Sequence, residues 1–486
     1  MGAEPKRLHI VFFPFLAHGH MIPTLDVARL FAARNVEATI ITTRVNAPRF
    51  TSAVDTGNRI GNNQTVKLEL LRFPTHEAGV PEGCENAEIA MRIPGMMPRF
   101  FKGTQLLREQ LEQYLSRVKP NCLVADMFYP WATESANKYD IPRLVFHGTS
   151  YFSLCAQEIV RVHEPYKMVL CNNEKFTIPL IPHDIKLLRS QMCPDLISDE
   201  DNDFRKRMDL VKKSEVESYG VIVNSFYELE PDYAEVYTKE LGRKAWHVGP
   251  VSLCNRSVLE KGRRGNQASI DEHECLTWLD SKKLASVVYI SFGSMSSSIT
   301  PQLHEIATAL ENSGCNFIWV VRSGESENHD ESFPPGFEQR TKEKGLIIRG
   351  WAPQVLILDH EAVGAFMTHC GWNSTLEGIT AGVPMITWPH AAEQFYNEKL
   401  VTEILKSGVS VGAKIWSRMP SVEDLIGREA IEIAIREVMD GEKAETMRLK
   451  AKWLKEMARK AVEEGGSSYT QLSALIEDLK NYHTQK

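Results

Sequence analysis

Residues 362–388 read AVGAFMTHCGWNSTLEGITAGVPMITW, and how this stretch folds decides the rest of the chain. The apolar run 363–367 predicts a strand, His369-Cys370-Gly371 a tight turn, 374–381 a helix and 383–388 a second strand. Gly382 stands where a helix C-terminus favours positive φ, with Pro384 two residues on. Ser374 and Glu377 have capping-box spacing, which places the helix start at Ser374. The product is a βαβ unit.

A helix that starts directly after a turn at a parallel strand's end aims its free N–H groups, and its positive dipole end, into the crevice beyond the sheet. Such a site suits an anion, phosphate best of all. His369, Trp372, Asn373 and the pair Glu393-Gln394 surround it with side chains suited to sugar or ribose hydroxyls.

The same alternation runs outward in both directions. In the first half, strands are predicted at 8–15, 36–43, 122–125, 143–146, 220–224 and 246–251, with helices at 22–33, 99–116, 131–139 and 204–218. Residues 170–203 break the rhythm with proline-rich and acidic loop, of the kind that shapes substrate pockets. Residues 254–272, CNRSVLEKGRRGNQASIDE, are polar and basic and are predicted to be a structureless linker. The second half restarts with a strand at 286–291, the turn Phe292-Gly293-Ser294, a helix at 301–312 and strands at 317–322 and 346–349. Helices at 397–406, 427–439, 444–464 and 468–479 close it.

Alternation of this kind implies parallel sheets covered on both faces. The predicted fold is therefore α/β, two Rossmann-like domains with ligands in a cleft between their strand ends. The expected boundaries are 1–251, a linker at 252–272, 273–464, and a terminal helix at 465–486.

Composition narrows the function classes. A chain of 486 residues is long enough for two or three domains, and its 43% hydrophobic and 24% charged content is that of an ordinary globular protein. A net charge of −7 offers no attraction for nucleic acid or anionic membrane, so neither is an expected partner. Nine cysteines, scattered and never in CxxC spacing, read as free thiols of a reducing compartment. The N-terminus MGAEPKRLHIVFFPF lacks a signal-peptide pattern and no apolar run approaches a membrane span, so a cytoplasmic location is expected. Asn63-Gln64-Thr65, Asn255-Arg256-Ser257 and Asn373-Ser374-Thr375 then count as chance matches to the glycosylation pattern. GxGxxG and the P-loop are both absent, which argues against NAD and ATP chemistry. Asp-x-Asp spacing at 199–201 and 201–203 is a metal-nucleotide motif elsewhere, but here it lies in the acidic loop of the other half, away from the strand ends.

Residues 351–394, WAPQVLILDHEAVGAFMTHCGWNSTLEGITAGVPMITWPHAAEQ, resemble the donor-binding signature box of plant secondary-product UDP-glycosyltransferases at full length and without a gap. The rest of the chain is similar to the same family end to end, most closely its flavonoid, phenolic and triterpenoid branch. The resemblance implies the two-domain GT-B fold, with the last helix crossing back to the first domain. It implies that Trp351 stacks on uracil, that Ala352 and Gln354 reach base and ribose, and that Glu377 accepts the ribose hydroxyls. His369, Asn373 and Ser374, with Ser294 opposite, would hold the diphosphate. Trp372, Glu393 and Gln394 map onto the sugar contacts, and glutamine at the end of the box fits a glucose donor. Read without the family, Trp351 is equally a core aromatic and Glu377 a capping partner.

For the acceptor, His20, directly before Met21-Ile22-Pro23, matches the family's general base, and His18 is taken as a bystander. Asp126, at a neighbouring strand tip, would orient His20 and stabilise the imidazolium. A helix N-terminus is expected to keep the imidazole neutral. His147 is a further candidate for the acceptor pocket. The expected activity is inverting, metal- and cofactor-independent O-glucosylation of small lipophilic aglycones by a monomer, with UDP-glucose as co-substrate. Another donor sugar, glucuronic acid or galactose, and a catalytically silent UDP-sugar-binding protein are the alternatives.

Overall fold

The computed structural model describes residues 7–50, 66–294, 299–321, 333–419 and 421–484. The glycosylation pattern at 63–65 lies outside this set.

Two parallel sheets organise the chain. The first contains β1 (His9–Phe13), β2 (Glu37–Thr43), β3 (Val66–Leu71), β4 (Cys122–Asp126), β5 (Arg143–Phe146), β8 (Gly220–Val223) and β9 (Ala245–His247), in the order β3-β2-β1-β4-β5-β8-β9. A small antiparallel hairpin, β6 (Lys175–Thr177) with β7 (Lys186–Leu188), occupies the segment read as loop. The second contains β10 (Val287–Ser291), β11 (Asn316–Val321), β12 (Gly345–Arg349), β13 (Val363–Thr368), β14 (Met385–Thr387) and β15 (Gly408–Ser410), in the order β12-β11-β10-β13-β14-β15.

Period two explains the packing. Along β1, Ile10 and Phe12 enter one apolar cluster, while Val11 and Phe13 enter another on the opposite face, so the strand is buried on both sides. Strand order reverses between β1 and β4 in the first sheet and between β10 and β13 in the second. Chains leaving the sheet at such a switch point diverge to opposite faces and open a crevice. The loops after β1, β4, β10 and β13 therefore frame the cleft, and these are the loops that carry the candidate residues.

The last helix, Ser467–Thr484, packs on the first sheet. Leu472, Leu475, Ile476 and Leu479 join the cluster that holds Ile10 and Phe12, and Ser468 Oγ donates to the Gly249 carbonyl.

Several local expectations are corrected. β3 lies at the sheet edge, buried at its two ends and partly exposed between them, and the sequence reading had no strand there. The helix expected over 99–116 is two, Met97–Leu106 and Arg108–Val118, meeting at Leu107. The linker is not structureless: it contains a 3-10 turn at Val251–Cys254 and a short helix, Val258–Gly262, with a Ser257/Glu260 capping box. Its charged residues are bound to both halves, with Lys261 on Asp359 at 2.5 Å and Arg29 on Glu260.

Candidate functional site

A cleft of about 780 Å³ runs between the halves. Its lining includes His18, His20, Glu88, His147, Ser294, Trp351, Ala352, Gln354, His369, Trp372, Asn373, Ser374, Glu377, Glu393 and Gln394. The structure thus brings the candidates from both halves to one space. Asp126 stands behind His20, fully buried.

On the first-half side, the chain leaves β1 and enters the helix His18–Ala32, so His20 sits in a first turn. Its Nδ1 lies 2.7 Å from Asp126 Oδ2, while Asp126 Oδ1 accepts from the Phe128 amide at 3.0 Å. An ionised carboxylate only accepts, so Nδ1 carries the hydrogen and Nε2 is left as the basic lone pair. The rings of Phe15 and Phe128, with centroids 5.4 and 5.6 Å away, fix the imidazole plane. Asp126 is itself held by its backbone: Arg143, buried under the sheet, donates to the Asp126 carbonyl at 2.9 Å.

The electrostatic expectation for His20 is reversed. Burial alone would lower its pKa, but the Asp126 carboxylate, helped by Glu393 and Glu88, raises it above the usual histidine value. A carboxylate at hydrogen-bond distance outweighs the dipole of one helix end.

His18 is also corrected from bystander to participant in the cleft wall. Its Nδ1 is 2.9 Å from Glu88, its Nε2 is 3.1 Å from Asn266 Oδ1, and its ring lies 5.4 Å from that of Trp351. Glu88 is buried, but its contacts with His18 hold its carboxyl below the usual range. His147 is buried on the first-half side of the cleft, with Nε2 2.8 Å from Glu215 and Nδ1 3.1 Å from Met127 Sδ. Phe15, Met91, Met97, Phe101, Met127 and Phe128 supply apolar wall near His20.

On the second-half side, the turn after β13 delivers a helix at Trp372–Ala381, with Gly371 as its N-cap and Gly382 at φ 72° after its end. The helix begins two residues before the expected Ser374, and the capping box is not formed. Glu377 is instead drawn sideways, Oε1 to Arg264 at 2.5 Å and Oε2 to the Gln354 amide at 2.8 Å. An ion pair and an amide hydrogen bond replace the local cap. Gln354 also donates to Ser374 Oγ at 3.0 Å.

Trp372 is placed unlike a side-chain sugar ligand: it is 2% exposed and its indole N–H donates to the Asn224 carbonyl at 2.7 Å. Asn373 Nδ2 donates to the Gly19 carbonyl at 2.7 Å, a second bond across the cleft, and Gln394 Oε1 accepts the His390 and Ala391 amides. Glu393 is half-buried and accepts from Asn397 Nδ2 at 3.2 Å; desolvation raises its pKa, against the field of His20.

His369 is the electrostatic opposite of His20. Burial, with His390 nearby, pushes its pKa down to about 3, so it offers a neutral N–H. Its Nδ1, the Trp351 Nε1 and the Asn373 Oδ1 are buried atoms with no hydrogen-bond partner among the described residues.

The His369 ring is seated between two glycines. A Cβ on Gly293 would lie 2.5 Å from its Cε1 and one on Gly371 2.5 Å from its Nε2, and Gly293 also has φ 77°. Gly293→Ala is therefore expected to displace the ring and lower kcat/KM for the donor by roughly 10- to 100-fold, the scale of a 1 Å misplacement. Donor-varied kinetics on a variant with a wild-type far-UV spectrum check this.

Asp199 and Asp201 are surface residues paired with Lys167 and Lys206, and neither lines the cleft. Among the described residues no helix is long and apolar enough to cross a membrane. The cysteines are free.

Residues 208–453 match the family model described as UDP-glucoronosyl and UDP-glucosyl transferase. The chain is 55% identical over 478 residues to scopoletin glucosyltransferase of Nicotiana tabacum, covering 98% of each. Its structure is similar to that of Glycyrrhiza uralensis UGT73P12 complexed with glycyrrhetinic acid 3-O-monoglucuronide, with TM-score 0.91, 41% identity and coverage of 99% and 97%. It is also similar to Phytolacca americana UGT2 complexed with UDP-2fluoro-glucose and pterostilbene, with TM-score 0.76, 26% identity and coverage of 97% and 100%.

Proposed function

Because the chain belongs to the UDP-glucosyl and UDP-glucuronosyl transferase family and is a UDP-glycosyltransferase of GT-B fold, we propose that it transfers glucose from UDP-glucose to a hydroxyl of a small lipophilic aglycone, with inversion. The observation that carries this reading is the His20–Asp126 pair at 2.7 Å, in the same cleft as the nucleotide box.

In the proposed mechanism Trp351 carries the base, Glu377 and Gln354 the ribose, and the start of the helix Trp372–Ala381 the diphosphate, with Ser294, Asn373, Ser374 and neutral His369 as donors. Ala352 adds backbone contact, while Glu393 and Gln394 face the sugar. Trp372 contributes through its backbone at the helix start, since its indole N–H is taken by the Asn224 carbonyl. His20 Nε2 removes the acceptor proton as the oxygen attacks the anomeric carbon from the face opposite UDP. One displacement turns the α-linked donor into a β-glucoside. Asp126 keeps the hydrogen on Nδ1 and stabilises the imidazolium.

The departing UDP is met by N–H and O–H donors and a helix dipole, so the reading requires no metal or cofactor, and chelator is expected to leave turnover unchanged. The Phe and Met wall fits flat phenols and bulkier triterpenoid skeletons alike. Scopoletin in the name of one relative and pterostilbene and glycyrrhetinic acid glucuronide in the neighbouring complexes support that range. Free thiols support a reducing, cytoplasmic setting, and a monomer suffices, since every named group comes from one chain.

The test is incubation with UDP-glucose, UDP-glucuronic acid and UDP-galactose in competition over a phenolic and triterpenoid panel, with mass spectrometry and the anomeric proton coupling of the product. A β-glucoside as main product is expected. A main glucuronide or galactoside would reassign the donor, and UDP binding without product across the panel would make the protein a silent binder.

A further inference from the structure

The segment 264–269, sequence RGNQAS, touches every part of the cleft where a nucleoside would sit. Arg264 Nε lies 2.8 Å from Asp26 Oδ2 on the first helix, and its Nη1 lies 2.5 Å from Glu377 Oε1 in the second half. Gly265, at φ 96°, lies so close to Trp351 that a Cβ there would overlap the indole. Asn266 meets His18, and Ser269 exchanges two hydrogen bonds with the Trp351 backbone, at 2.8 and 2.9 Å. All three members of the ion triad are buried, with side-chain exposures of 10% for Arg264, 2% for Asp26 and 5% for Glu377.

We infer that Arg264 is a positioning residue for the donor ribose: its ion pair holds Glu377 oriented so that the carboxylate receives the ribose hydroxyls. The inference rests on Glu377 as ribose ligand in the proposed function and adds a residue outside the signature box. A carboxylate has about four lone-pair sites. Arg264 takes one on Oε1 and Gln354 one on Oε2, which leaves one on each oxygen for a vicinal diol. Without the guanidinium, Glu377 is left with one neutral amide as its partner, and a buried carboxylate that has lost its ion pair turns toward water. Its orientation toward the diol is then lost. Asp26 makes the hold bilateral: its Oδ1 accepts from Asn255 at 2.9 Å, so Arg264 is anchored to the first helix while it aims a residue of the opposite half.

The test is calorimetric binding of UDP against 2′-deoxy-UDP to the intact protein, alongside kinetics. A hydroxyl donated to a carboxylate is expected to make wild type prefer UDP by roughly 10-fold or more. Arg264→Gln should compress that preference to within about threefold and raise KM for the donor by a factor of about ten or more, with acceptor KM and saturated kcat changing little. If this variant does not fold, the double variant D26N/R264Q, which has the same net charge as the wild-type triad, is measured in its place with the same expectation. A wild-type preference retained in whichever variant folds overturns the inference and leaves Arg264 a structural staple. Equal binding of the two nucleotides by wild type also overturns it, while absence of any UDP binding overturns both it and the UDP-sugar reading.

Discussion

Replacing His20 by alanine is expected to cut turnover by about 10²- to 10⁴-fold, the range for removing a positioned general base. UDP affinity should stay nearly unchanged, because no nucleotide contact is assigned to His20. The neighbourhood supports the separation. Phe15 and Phe128 belong to the apolar wall and would close on an alanine without disturbing the turn after β13. A thousandfold loss corresponds to about 4 kcal/mol of barrier, too large for a packing defect at a residue whose side chain is 24% exposed. Retention of more than roughly a tenth of wild-type turnover, a loss smaller than base removal causes, would reject His20 as the base.

Asp126→Asn is the second large effect, and its signature is in pH as well as rate. The base acts when neutral, so kcat/KM rises as pH rises through the free-enzyme pKa of His20. In wild type that pKa lies above the ordinary 6.5, because the carboxylate of Asp126 opposes the effect of burial. Asparagine removes the charge, so the acid limb of the profile should move to lower pH. Turnover above that limb should nonetheless drop by roughly 10²-fold, since an amide neither enforces the Nδ1–H tautomer nor stabilises the imidazolium. The fold should survive, because Arg143 is bonded to the backbone carbonyl of residue 126, which the substitution keeps. An acid limb that stays in place with a lowered plateau would mean that the limb reports another group, Glu88 or Glu393 being nearest in charge. Double substitution at His20 and Asp126 should cost little more than His20→Ala alone, as residues acting as a unit do.

The parts of this site that were legible in the sequence are those set by short-range pattern. Strand, turn and helix after Val363 and the glycine that ends that helix follow from periodicity and turn chemistry within about twenty residues, the span of a βαβ half-unit. What was not legible depends on partners distant in the chain. Arg264 pairs with Glu377 across 113 positions and with Asp26 across 238, so the basic linker looked like solvated loop. Glu377 had a plausible local partner in Ser374, and only the three-dimensional arrangement shows that Arg264 and Gln354 hold it instead. His18 looked idle because Glu88 is 70 residues away, and Trp372 looked like a ligand because Asn224 is 148 residues away. The expectation of a helix end lowering the pKa of His20 left out the full charge standing 2.7 Å from the ring, which raises it.

The terminal helix Ser467–Thr484 returns the chain to the sheet where it began. The backbone therefore passes between the halves twice, once through the linker and once near Gly465. Two tethers define a line, and a rotation of the halves about that line, like a book on two rings, is the opening they favour, with sliding and separation disfavoured. Deleting the chain from Ser467 onward would remove one ring along with part of the first half's core, converting a guided swing into a loose joint.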